Sequence, residues 1–101
     1  MTRVYSRLAH RRDNNESVLI TFWRKAGCAV FQQPPGQGFD LVVVGPGGIF
    51  HVVEIKNPVR AWKLTPEEQA IRAEFKGIGV AYNIICNVEQ AAALIGRVLE
   101  K

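Results

Sequence analysis

At 101 residues the chain has room for one domain with a modest core. No apolar run approaches the roughly 18 to 20 residues that span a bilayer, and no apolar stretch follows the N-terminal arginines, so a membrane anchor and a secretory leader are not expected and the cytoplasm is the default location. The net charge of +4 lies wholly in residues 1–12, which hold Arg3, Arg7, Arg11 and Arg12 and no acid; beyond them nine Lys/Arg balance nine Asp/Glu. An arginine-rich arm at 1–13 suits contacts to nucleic-acid phosphates, and the plain alternative is a solvated tail.

Asp13 or Asn14 can cap a first helix with Glu16 in its first turn. Val18, Leu19, Phe22 and Ala26 recur at helical spacing, and Gly27 ends it. Cys28 to Phe31 reads as a short strand. Gln32 to Gly38, with Pro34, Pro35 and Gly36, reads as a loop. Phe39 to Val44 is β-branched and apolar, a buried strand. Gly45-Pro46-Gly47-Gly48 is a tight turn, and Ile49 to Lys56 returns as a second long strand. That turn lacks the Gly-Lys-Ser/Thr ending of a phosphate-binding loop. After a loop carrying Arg60, Trp62 and Lys63, Thr65 caps a helix with Pro66 at its first position and Glu68 completing a capping box; Ile71, Phe75 and Ile78 form its apolar stripe. Val80 to Ile85 is a fourth strand. Asn87 caps a last helix whose apolar face uses Ala91, Leu94, Ile95, Val98 and Leu99. Cys28 and Cys86 lack partners at ligand spacing and read as reduced thiols.

The predicted order is α-β-β-β-α-β-α. A hairpin joins the second and third strands, and a helical crossover makes the third and fourth parallel. The expected architecture is α/β, a four-stranded mixed sheet flanked by helices.

Three charged residues stand at strand ends. Asp40 opens one strand, and Glu54 and Lys56 close its hairpin partner. Alternation puts Glu54 and Lys56 on one face, with Ile55 on the other. His51 shares the parity of Val53 and Ile55 and is read as a packed sheet residue. Buried charges need partners or a metal. Two carboxylates and the Ile55 carbonyl can hold Mg²⁺, an oxygen-seeking ion that keeps several waters. Such an ion polarises a phosphodiester and acidifies water, and a neighbouring lysine stabilises the charge that develops on phosphorus. The other reading of the same spacing is a Glu54–Lys56 pair on a solvated edge, with Asp40 a turn residue.

Gly38-Phe39-Asp40, thirteen residues, then Glu54-Ile55-Lys56 resembles the PD-(D/E)XK nuclease signature, and the wider pattern resembles the VRR-NUC (virus-type replication-repair nuclease) group. Glu16 matches a glutamate on that group's first helix, and Leu64-Thr65-Pro66-Glu67-Glu68-Gln69 matches its helix start after the Glu-X-Lys strand. The resemblance extends over residues 14–99, and Phe39 replaces the usual proline before the aspartate. It implies a restriction-endonuclease-like core over 14–101. It further implies a metal set of Asp40, Glu54, Ile55 and Glu16, with Mn²⁺ able to replace Mg²⁺, and a catalytic set of Asp40, Glu54, Lys56 and Gln69. The implied activity is metal-dependent DNA endonuclease, Holliday-junction-resolvase-like, in a homodimer of bacterial or phage origin acting on branched DNA. The expected DNA contacts are Arg3, Arg7, Arg11, Arg12, Arg60, Trp62 and Lys63. A general or sequence-specific nuclease of the same fold, and a non-catalytic nucleic-acid-binding module, stand as alternatives.

Overall fold

The computed structural model describes residues 14–57 and 62–96. Its elements are α1 (Asn14–Lys25), β1 (Ala29–Gln32), β2 (Leu41–Val44), β3 (Phe50–Ile55), α2 (Pro66–Gly77), β4 (Tyr82–Ile85) and α3 (Val88–Leu94). This is the predicted order. The four strands form one sheet in the order β1-β2-β3-β4. β1–β2 and β2–β3 are antiparallel, and β3–β4, joined through α2, is parallel. The arginine arm at 1–13, Arg60 and the last-helix positions Val98 and Leu99 lie outside the described residues.

Period-two alternation divides the sheet into two unlike faces. Val30, Leu41, Val43, Val53, Ile55 and Ile85 point one way and meet Leu19, Ile20 and Trp23 of α1 and Ala91 of α3 in the core. Trp23 is the largest fully buried side chain, and its Nε1 donates to the Ala91 carbonyl at 3.1 Å. The indole thereby fills the space between two helices without losing its hydrogen bond. Val18, expected in the apolar stripe of α1, is 54% exposed, and the inward face runs through Ile20 and Trp23 instead.

α2 covers part of the other face. Phe75 meets Phe39 with ring centroids 5.9 Å apart, and a Cβ on Gly38 would fall on the side chain of Ile71. No residue of α2 is buried. The expected stripe is therefore shorter than predicted: Ile71 and Phe75 pack, whereas Ile78, past the helix end, is 72% exposed.

One tight turn behaves as its glycines require. Gly47 and Gly48 both take positive φ in the β2–β3 hairpin, which Gly45 closes by donating to Ile49 at 2.8 Å. Among the described residues, no helix is long and apolar enough to cross a membrane. Neither Cys28 nor Cys86 forms a disulfide.

Candidate active site

The hairpin register sets the site. Leu41 pairs with Val53, so Asp40, one residue before the strand, stands across from Glu54. Two hydrogen bonds hold it there: the Asp40 amide donates to the Val53 carbonyl at 3.0 Å, and the Ile55 amide donates to Asp40 Oδ2 at 2.7 Å. The backbone of the glutamate strand thus orients the aspartate carboxylate. At the same end of the sheet, Asn15 of α1 donates to the carbonyls of Lys56 at 3.2 Å and Cys86 at 2.8 Å. Those bonds satisfy the chain where β3 and β4 run out.

Glu54 is 4% exposed although it is a carboxylate in an apolar strand. Its Oε2 lies 3.4 Å from Lys56 Nζ, while its Oε1 is buried with no hydrogen-bond partner. The predicted alternation is thereby observed, since Glu54 and Lys56 meet on one face. Burial first, then Glu68 and Asp40, push the Glu54 carboxyl up to about 9 against the opposing charge of Lys56. Lys56 is drawn down by burial, but its bond to Glu68 and the charges of Glu54 and Glu68 outweigh this and raise it.

Glu68 is a site residue that the sequence reading assigned only to a capping box. Both roles are filled by one oxygen: Oε1 accepts from the Thr65 amide at 2.9 Å and from Lys56 Nζ at 2.9 Å. Burial alone would raise Glu68; its bonds to Glu54, Thr65 and Lys56 hold it below the usual carboxylate range. The signal was available, because a capping-box glutamate points back past its helix start, and here that start abuts the end of β3.

Gln69, expected to face the site, does not reach it. Its amide donates to the Leu64 carbonyl at 3.1 Å, and it lines a separate hollow with Arg72, Ala73 and Lys76. One residue is about 100° of helix, enough to exchange Gln69 for Glu68. Glu16 is 4% exposed, and its Oε2 accepts from Gln32 Nε2 at 3.1 Å. Gln32 pairs with Leu41, whose side chain lies on the core face opposite Glu54. Trp62 and Lys63 are exposed. His51 sits at the far end of the sheet beside Gly45, and burial lowers its proton affinity.

Between α2 and the Gln33–Asp40 loop lies a cleft of about 260 Å³ lined by Pro34, Pro35, Gly36, Gly38, Phe39, Asp40, Glu54, Thr65, Glu67 and Glu68. Tyr82 ties the loop to β4 by donating its hydroxyl to the Gly38 carbonyl. It shares the Glu54 face because it pairs with Val52. Burial, with Glu54, Glu68 and Asp40 adding, raises its hydroxyl well above the ordinary tyrosine range.

The chemistry of these groups suits a cation. A buried carboxylate oxygen without a partner, set among further carboxylates, is a place where positive charge is stabilising. Among the described residues no three His, Cys, Asp or Glu side chains form a ready metal cluster. Two carboxylates suit Mg²⁺, which completes its shell with water, better than a metal needing a full protein cage.

No protein-family model matches the sequence, and no curated protein matches it. A solved structure described as a VRR_NUC domain superposes with a TM-score of 0.60 at 20% identity, covering 79% of this chain and 88% of that one. The chain has the fold of a VRR_NUC domain. The acidic end of β3 and the start of α2 thus sit in a VRR_NUC-type fold, as the motif resemblance implied.

Proposed function

We propose that this protein is a metal-dependent, structure-selective DNA endonuclease, acting as a homodimer on branched DNA in the manner of a Holliday-junction resolvase. The observation that carries the reading is the buried Glu54 carboxylate, its Oε1 unpartnered, facing Asp40 and paired with Lys56. Asp40, Glu54 and the Ile55 carbonyl would hold Mg²⁺ or Mn²⁺. The ion supplies Lewis-acid stabilisation of charge on a phosphodiester.

The chain's own residues do the rest. The Ile55 amide fixes the Asp40 carboxylate. Lys56, held between Glu54 and Glu68, presents one oriented positive charge to phosphoryl oxygens. The loop at Pro34–Gly38 walls the cleft and bears on which DNA shape can enter. Trp62 and Lys63, with Arg60 and the arm arginines Arg3, Arg7, Arg11 and Arg12, are assigned to the DNA backbone and exposed bases. One domain of this size carries one site, and the two symmetric nicks that resolve a four-way junction call for a C₂ pair. Phe31 at 55% and Phe50 at 71% exposure offer apolar surface for such a pair. The protein would work in the cytoplasm of a bacterial or phage-infected cell.

The test is cleavage of a four-way junction, a flap and a linear duplex in Mg²⁺ by wild type and Glu54→Gln. Junction cutting by the wild type only, with DNA binding retained by the variant, is expected. Full activity of the variant overturns the site assignment. Equal cutting of all three substrates leaves a general nuclease of the same fold, and binding with no turnover in Mg²⁺ or Mn²⁺ leaves a non-catalytic module.

A further inference from the structure

α2 segregates its charges. Residues three and four apart stack on one side of a helix, so Gln69, Arg72 and Lys76 form one stripe, while Glu67 and Glu74 lie on the opposite flank. The Glu67 flank borders the cleft. The basic flank borders a second hollow, of about 550 Å³, lined by Leu64, Gln69, Arg72, Ala73 and Lys76. Neither Arg72 nor Lys76 pairs with a carboxylate among the described residues. Lys63, also exposed, stands just before the hollow.

Cations without a carboxylate partner around a concave surface, with an amide beside them, fit a polyanion; the acid one turn before Arg72, Glu68, is engaged by Lys56 and the Thr65 amide. The stripe also has the right span. Arg72 and Lys76 follow Glu68 by four and eight residues, about 6 and 12 Å along the helix. At about 3.4 Å of rise per nucleotide along one strand, that covers a few nucleotides.

We propose that the Gln69–Arg72–Lys76 flank of α2 is a backbone track for a nucleic-acid strand, its hollow seating a phosphodiester a few nucleotides from the cleft. The proposal rests on the nuclease reading for the position of the scissile bond, but phosphate binding can be measured without cleavage.

Affinity for a fluorescein-labelled duplex would be measured in EDTA across a salt series. Each lost phosphate contact lowers the steepness of log K against log salt by about 0.9. Arg72→Ala/Lys76→Ala should therefore flatten the slope by about 2, while Arg72→Lys/Lys76→Arg keeps it. Both positions are exposed and alanine suits a helix, so thermal melting should show the fold retained. Lys25→Ala removes one charge near the opposite end of α1 and should leave the slope unchanged. A wild-type slope in the double alanine variant overturns the track. So does a Lys25→Ala effect as large as that of Arg72→Ala, which would mean undirected charge attraction. A wild type that cleaves nothing but shows the Arg72- and Lys76-dependent slope supports the track and removes the nuclease reading.

Discussion

Glu54 concentrates the physical conflict in this molecule. A carboxylate in water titrates near 4.5, whereas burial beside Asp40 and Glu68 moves Glu54 to about 9. Between those values the folded chain keeps a proton that the unfolded chain has lost. Stability of the metal-free protein should therefore fall as pH rises from about 5 to 9. Thermal melting in EDTA across that range should show the fall, and Glu54→Gln, which cannot ionise, should flatten it. Mg²⁺ should raise the wild-type melting temperature most at the alkaline end, where the buried carboxylate is ionised. A Glu54→Gln variant stabilised by Mg²⁺ as strongly as wild type would show that the ion binds elsewhere.

Among the elements, α2 adds Glu68 to the site although none of its residues is buried. Thr65 caps it in both directions, accepting from the Glu68 amide while Glu68 accepts from the Thr65 amide. The same carboxylate reaches Lys56, so the cap and the proposed site are mechanically one unit. Thr65→Ala should cost about 1 kcal/mol in denaturant melts. Because it loosens the turn that aims Glu68, it should also lower kcat with little change in KM. Equal stability loss from Asn87→Ala, which uncaps α3 and does not line the cleft, should leave kcat alone.

Across the whole molecule, stability and chemistry are assigned to different faces of one sheet. The face bearing Leu41, Val43 and Val53 packs on α1 and α3, and the face bearing Glu54 and Tyr82 turns toward α2 and the cleft. Trp23 holds the first face together. Trp23→Ala should lose about 3–5 kcal/mol, a large share of the stability available to a domain of this size, as read by urea denaturation. Trp23→Phe should lose less and keep activity, because the packing survives and the cleft is on the other face.

The order of elements, the hairpin at Gly45–Gly48, the two caps at Thr65 and Asn87 and the shared face of Glu54 and Lys56 were legible in the sequence. Each depends on residues within a few positions of one another, where backbone geometry leaves few choices. Other features joined residues distant in sequence. Trp23 became the core centre because α3 lies over it, Glu16 turned to Gln32 because α1 sits on the core face, and Ile78 stayed exposed because α2 covers only part of its side of the sheet. The exchange of Gln69 for Glu68 at Lys56 required knowing the rotation of α2 about its axis, which its packing on Phe39 and Gly38 fixes. Local patterning determined which segments form and which charges are unusual; only tertiary packing decided which of those charges meet.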